Sequence, residues 1–374
     1  MPYLEITGLP IRTSGGVFGS TVSLSLEKGR GLSILSSDGS APKALADALT
    51  GFGGFTGEIF LNDRRIDPLA ARNRPVRVLG DSQGFFPRLT VKENLTLAVS
   101  EGRLSDTEAT FAVDLELSES MLGGFDDALA GSLDDAGRTI LAAARALLRG
   151  CDLLIIARLP VPGPGKYRDD SWVPGFQMDA LLDLKNLLRR HRATWVSLLT
   201  DPACVHVLSD RVMFFSGDNL VQEGSLRECQ NAPQSRLVAD FLAFPRMNYR
   251  TSRVERDGPF ILLRTGRYVF RVSEFGKRQL LPRDGEEVIL GLRPEDLSIR
   301  PFVTGDPTVI NLAKVTRVDS VPGAQVVRLD LEGIEWIAMV EPGRVVFTGQ
   351  LIELRPDPDK IHVFHPVHGT SLLD

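Results

Sequence analysis

The sequence predicts an α/β domain with a parallel sheet over residues 1–235, joined to an all-β domain over 240–374. Two observations carry that prediction. Up to about residue 235, runs with the period-two alternation of strands are interleaved with runs whose apolar residues recur every three or four positions, and such alternation argues for a parallel sheet. Past Pro245 the helical runs stop, and short strand-like segments are divided by Gly, Pro and Asp turns. At 374 residues, 43% hydrophobic and 24% charged, the chain is long enough to bury a core in each part.

The first sixty or so residues read as β-rich, with VSLSLEKG and GLSILSSDG as strands, KALADALTGF as an embedded helix and GEIFLND as a further strand. From Leu89 to Arg149 the pattern is helical, closing on TILAAARALLRG, whose apolar spacing suits a packed helix. The apolar strand DLLIIARL comes directly after it. A Pro/Gly loop, VPGPGKYRDDSWVPG, precedes a helix from about Met178 to Arg192; TWVSLLTD and RVMFFSGDNLVQEG then bring further strands with a short helix between them. The domain boundary falls at 235–245, where helical SRLVADFLAF runs into PRMNY. Beyond it, FILLRTGRYVFRV, EEVILGLRPEDLSI, QVVRLDLEG and RVVFTGQLIELRPD carry the strands.

Composition excludes several functions. The net charge of −5 comes from interspersed acidic and basic residues with no basic run to track a phosphate backbone, so nucleic acid is not an expected partner. Cys151, Cys204 and Cys229 lie too far apart for a metal knuckle and are odd in number for a disulfide framework; reduced thiols in a cytosolic protein are expected. The opening residues lack a basic segment followed by an apolar stretch, and no run approaches the ~18 apolar residues of a membrane span. Membrane association would therefore go through a partner. GPGK, from Gly163 to Lys166, lacks the flanking residues of a phosphate loop. The three-residue spacing of His362, His365 and His368 would throw neighbours to opposite faces of a strand, so no metal site is expected.

The order and local wording of the segments resemble the ATP-binding subunits of carbohydrate ABC importers, the maltose-transporter type, over nearly the whole chain. VADFLAFPRMNY, from Val238 to Tyr249, looks like that family's lead into its regulatory domain, GLRPEDL (Gly291 to Leu297) like its GIRPE turn, and HVFHPVHG like its closing strand. FFPRLTVKENL, from Phe85 to Leu95, matches the family's phrase after the Q-loop, and ARALLRGCDLLII matches the helix and strand before the Walker B carboxylates. The resemblance implies a P-loop NTPase core of the ABC ATPase kind, with a helical subdomain at about 88–150, and a C-terminal OB-like (TOBE) regulatory domain.

Against that pattern the catalytic positions depart one by one. The family's P-loop, GxxxxGK[ST], wraps phosphates in backbone N–H groups at a helix N-terminus. The corresponding stretch here runs from Ser36 to Ala44, and only Gly39 survives. Ser36 and Ala41 add side chains where glycines let the backbone approach, Pro42 replaces the Lys and removes an N–H, and Ala44 occupies a hydroxyl position. A one-residue slip would restore Lys43 to its role, with Ala44 still lacking the Mg²⁺-binding hydroxyl. The Q-loop glutamine falls on Asp81, with Gln83 close by. Where an Mg²⁺-linked Asp and a general-base Glu should follow DLLII stand Ala157 and Arg158; alanine coordinates nothing, and a guanidinium with a pKa above about 12 cannot take a proton from water. The switch histidine lands on Thr200, and the adenine-stacking aromatic near Thr13.

The signature loop aligns with Leu133-Asp134-Asp135-Ala136-Gly137, whose role in the family is to present a helix N-terminus to the γ-phosphate of ATP on the opposite subunit. Two carboxylates reverse that preference: at ~5 Å and an effective dielectric of ~20, each like-charge pair costs ~3 kcal/mol. Helix capping is the expected use of Asp134 or Asp135.

These departures imply a subunit without intrinsic ATPase activity, pairing head to tail with an intact paralogue. ATP with Mg²⁺ is then expected only at a site shared with that partner. The resemblance further implies two transmembrane permease subunits contacted through Phe85, Phe86 and Pro87, an indirect link to a substrate-binding protein, a peripheral place on the cytoplasmic face of the membrane, and a sugar or polyol, glycerol-type first, as cargo. Two other readings fit the same residues: an active ATPase with non-standard motifs, and a non-catalytic regulatory binding module.

Overall fold

The computed structural model describes all residues except 1, 11–20, 37–39, 53–56, 81–83, 101–104, 160–166, 169–170, 173–177, 199–201, 218, 244, 303–310, 322–323, 332 and 374. Two units meet in the sequence between Leu226 and Arg227. The first begins with β1 (Leu4–Pro10), β2 (Thr21–Leu26), β3 (Gly31–Ser36), α1 (Ser40–Thr50), β4 (Glu58–Leu61), β5 (Arg64–Arg65) and β6 (Val76–Leu79). Three helices come next, α2 (Val91–Ser100), α3 (Asp106–Glu119) and α4 (Asp135–Leu148), and then β7 (Leu153–Ile156). The short strands β8 (Tyr167–Arg168) and β9 (Ser171–Trp172) precede α5 (Met178–Arg190), β10 (Thr194–Ser197), α6 (Pro202–Leu208), β11 (Arg211–Ser216) and β12 (Asn219–Ser225).

The central sheet has the order β12-β11-β3-β10-β7-β6 and is parallel except for the β11–β12 pair. Its inner strands GLSILS, LLII and TWVS are buried at every position, as expected of parallel strands covered on both faces. Strand periodicity sorts their side chains between two cores. Leu153 and Ile155 face the core that also holds Ile34, Leu45 of α1 and the antiparallel sheet β2-β1-β4-β5. Leu154 and Ile156 face the core formed with α2, α3, α4 and α5. Trp195 on β10 is fully buried and donates its Nε1–H to Leu208 O at 2.9 Å. Its indole lies so close to Gly31 that a Cβ there would come within 2.2 Å of a ring atom, so the chain meets this tryptophan with glycine.

The second unit contains α7 (Leu226–Asn231), α8 (Arg236–Leu242), β13 (Asn248–Asp257), β14 (Phe260–Thr265), β15 (Tyr268–Arg271), α9 (Glu274–Leu280) and β16 (Glu287–Leu292). Then come β17 (Leu297–Pro301), β18 (Leu312–Val321), β19 (Ala324–Leu331), β20 (Ile334–Val340), β21 (Leu351–Pro356) and β22 (His362–Phe364). They make two five-stranded antiparallel sheets, β15-β14-β13-β16-β22 and β17-β21-β18-β19-β20, around one core. Asn248 ties the sheets together: its Nδ2 donates to Leu292 O at 3.1 Å and Ile337 O at 2.8 Å, and its Oδ1 accepts from Ile337 N at 2.7 Å.

Two local expectations shift. The boundary falls between Leu226 and Arg227, ahead of the 235–245 stretch: α7 joins the second unit, with Arg293 Nη2 donating to Gln230 O at 2.7 Å, and so does α8, with Ala239 and Ala243 packed on Met247 and Phe364 and Arg236 N donating to Gly369 O at 2.7 Å. Within RVVFTGQLIELRPD only Leu351–Pro356 is strand; Val345 and Phe347 stand in solvent, so their alternation with Val346 does not mark a sheet position.

Candidate functional site

Parallel pairing brings the carboxyl ends of β3, β10, β7 and β6 to one edge, and in open α/β sheets ligands bind beyond that edge. The register is explicit: Ser197 of β10 pairs with Ser33 on one side and Ile156 on the other. Ser36 closes β3, and Ala157 and Arg158 follow β7, their N–H groups donating to Leu79 O of β6 at 2.9 and 3.4 Å. The segments matched separately to the P-loop and to Walker B therefore converge. Gly39, Asp81 and Thr200 lie outside the described residues, as do Thr13 and the GPGK tetrapeptide.

The side chains at this edge have other occupations. Ser36 is buried, and Ala41 and Pro42 are buried in the first turn of α1, where proline contributes no N–H. The Lys43 ammonium lies 2.9 Å from Asp47 Oδ2 along the outside of α1, with its side chain 78% exposed. This is an ordinary i,i+4 helix pair. Ala44 and Ala157 pack partly buried against the core, and Arg158 is exposed. Mg²⁺ takes oxygen ligands, usually carboxylates and phosphates, and these positions offer it no carboxylate. The described residues of this edge do not fit Mg²⁺. Among the described residues there is also no cluster of three or more His, Cys, Asp or Glu able to hold a metal.

The aligned signature residues open α4. Asp134 is its N-cap, with Oδ1 accepting the Gly137 N–H at 2.8 Å, while Asp135 follows in the first turn with Arg138 Nη1 3.6 Å from its carboxylate. Leu133 and Ala136 are buried beneath. Gly137 is confined: a Cβ there would lie 3.2 Å from Asp134 Oδ1 and 3.4 Å from Leu133 Cβ. The helix terminus that could greet an anion is thus met by its own carboxylate. Asp134→Ala is expected to cost about 1 kcal/mol in denaturant unfolding. Asp135→Ala, at an exposed position, should stay within about 0.5 kcal/mol.

The run Phe85-Phe86-Pro87 splits. Phe85 is only 7% exposed and packs in the helical core, so its side chain is removed from the interface expected of it; Phe86, at 46%, and Pro87 face solvent. Residues missed by sequence reasoning hold this loop. Asn94 accepts from Phe86 N at 2.8 Å through Oδ1, and its Nδ2 donates to Phe86 O at 2.9 Å and Thr90 O at 2.9 Å. Buried Arg145 donates to Gly84 O at 2.8 Å and to Asn94 O at 2.5 Å, with its guanidinium 4.8 Å from the Phe86 ring centroid. Its signal was a single cation inside TILAAARALL. Gly131 N donates to Pro87 O and Ala130 N to Leu89 O, both at 2.9 Å, while Thr90 bridges Leu129; this sets exposed Phe125 and Leu129 on the segment paired with the loop.

A second charged cluster fastens α3 to the end of α5. Glu116, 1% exposed, meets Arg190 Nη2 at 2.8 Å and His191 Nε2 at 2.6 Å, and Asp183 Oδ2 accepts from Met121 N at 2.9 Å.

An α/β core with a parallel sheet and a three-helix insert, followed by a two-sheet β unit, fits the fold class of a P-loop NTPase core of the ABC ATPase kind with a C-terminal OB-like domain. The family described as the MalK OB-fold domain matches residues 245–297, which span β13 to the start of β17. An sn-glycerol-3-phosphate import ATP-binding protein, UgpC 1 of Rhizobium johnstonii, is 23% identical over 350 residues, covering 92% of this chain and 89% of its own. A sulfoquinovosyl glycerol transport ATP-binding protein of Agrobacterium fabrum is 22% identical over 84% of each chain. A spermidine/putrescine import ATP-binding protein of Thermotoga maritima is 26% identical over 74% of this chain and 72% of its own. Among solved structures, cbiO1 of Clostridium perfringens, part of the ABC transporter complex cbiONQ, has a TM-score of 0.49 at 15% identity, covering 61% of this chain and 94% of that one. Over most of its length the chain is thus similar to ATP-binding subunits of ABC importers, and residues 245–297 match the MalK OB-fold domain.

Proposed function

We propose that this chain is a non-hydrolysing subunit of an ABC importer, working beside an intact ATPase paralogue and joining it to a pair of transmembrane permeases. The observation that carries the reading is the sheet edge, where Ala157 and Arg158 follow β7 at the place hydrolysis needs a metal ligand and a base. The altered positions Ser36, Pro42, Ala44, Asp81 and Thr200 support it from the sequence, and the self-capped start of α4 extends the loss to what this subunit would offer its partner's ATP. Docking on the permease uses Phe86 and Pro87, with Phe125 and Leu129 beside them. No helix among the described residues is long and apolar enough to cross a membrane, so attachment to the cytoplasmic face runs through those partners. Relatives named for glycerol phosphate and for a glycerol glycoside favour a polyol or sugar as cargo.

The purified chain is expected to show no Mg²⁺-dependent ATP hydrolysis above background. Co-expressed with an intact paralogue, turnover should appear and be indifferent to Lys43→Ala in this chain. Turnover by the isolated chain that Lys43→Ala abolishes would overturn the proposal.

A further inference from the structure

The last residues of the second unit are held by a turn whose side-chain acceptor is an imidazole. β22 ends at Phe364 and the chain reverses: His365 N donates to Thr370 O at 2.8 Å, and Gly369 N to His365 O at 2.9 Å, with Gly369 at φ +65°. Within this loop His365 Nδ1 accepts the backbone N–H groups of Val367 and His368, each at 3.2 Å. Asp and Asn side chains commonly fill that role in turns. The His368 ring lies over His365 with centroids 4.7 Å apart and planes at 27°. The spacing expected to separate these rings fails to do so because both lie beyond the strand.

Residues on the far side of the turn are attached to α8 and the core. Thr370 bridges Ser235, Arg236 N donates to Gly369 O at 2.7 Å, Ser371 N to Gln234 O at 2.9 Å, and Leu372 N to Val363 O at 2.8 Å. Leu372 and Leu373 pack against the core cluster.

We propose that this turn is an acid-released clasp: a proton on His365 Nδ1 opens it and loosens residues 366–373 together with the first turn of α8. The imidazole accepts at Nδ1 only while that nitrogen is bare; the imidazolium is a donor at both nitrogens, so the N–H groups of Val367 and His368 would lose their acceptor and face another N–H. Charge on either ring also repels charge on the other across the stack. The neutral ring therefore holds the turn, and a fall in pH that protonates it opens the turn. Among the described residues, the charged groups bordering the turn are Arg236 and, 3.6 Å from it, Asp240, both on α8. His362 on β22 is a separate matter: burial first, then Arg293 and Lys360, push it down to about 4, and it stays neutral where the clasp opens.

Hydrogen exchange on the full chain at pH 7.5 and 5.5, corrected for intrinsic exchange, tests the clasp. Protection of residues 366–373 is expected to fall about tenfold or more at the lower pH while the β13–β16 strands keep theirs. His365→Asn, which supplies an acceptor that does not titrate, should retain protection at both values. Unchanged protection in the natural chain, an equal loss in His365→Asn, or a loss shared by the whole unit would each overturn it.

Discussion

Replacing Arg145 with alanine is expected to lower the stability of the first unit by about 4 kcal/mol in denaturant unfolding, the loss expected when several buried acceptors lose their donor at about 1–3 kcal/mol each. The guanidinium is 3% exposed, and its bonds to Gly84 O, Asn94 O and Asn94 Oδ1 join α4 to α2 and to the loop ahead of it. Alanine would leave buried carbonyls without a donor, each costing about 1–3 kcal/mol, and a void beneath Phe86. Arg145→Lys keeps the charge but not the planar fork that reaches two carbonyls at once, and should recover about half of the loss. The Phe86 loop should loosen in parallel, read as faster amide exchange over residues 84–90. A variant that unfolds like the natural chain would show that the network adds little.

Glu116→Ala should cost about 3 kcal/mol at pH 7, the low end for breaking a buried ion pair, because Arg190 keeps 21% of its side chain exposed and can rehydrate. The effect should depend on pH. Burial alone would raise the Glu116 carboxyl, but His191 and Arg190 outweigh it and hold the group below its ordinary value near 4.5. A carboxyl lowered in the folded state contributes stability that is complete above that ordinary value and is lost as pH falls through it and further. The natural chain and the variant should therefore differ most at pH 7 and converge in acid. A constant difference between pH 7 and pH 3 would mean that packing, not charge, accounts for the loss.

The framework was legible because it rests on runs that carry their own period. GLSILS, DLLII and TWVS could be read as strands from composition alone, and TILAAARALL as a helix from its spacing, since covered parallel strands and packed helices write those patterns directly. The ends of those strands could be located, and Ala157 and Arg158 follow directly on β7. The features that the sequence concealed depend on loop conformation or on distant partners. Phe85 and Phe86 are chemically equal neighbours, and the bonds from Asn94, Arg145 and Gly131 that hold the loop fix which one turns inward. Glu116 looks like any helix-surface acid until Arg190, 74 positions later, is brought beside it. His365 and His368 stack because the strand stops at Phe364, one residue before their periodicity would have separated them.

The parallel sheet's carboxyl edge has an evolutionary corollary. The strands end at Ser36, Ile156 and Ser197, and beyond β7 the chain carries a partly buried Ala157 and an exposed Arg158. Replacement at an exposed position such as Arg158 is expected to cost little stability, so what the edge binds would screen it. Once that screen is lifted the edge can drift, while Trp195, Gly31 and Arg145 remain pinned by the cost of losing them. Comparing substitution rates at these two sets of positions among homologues would show whether the edge has been released, without any assay.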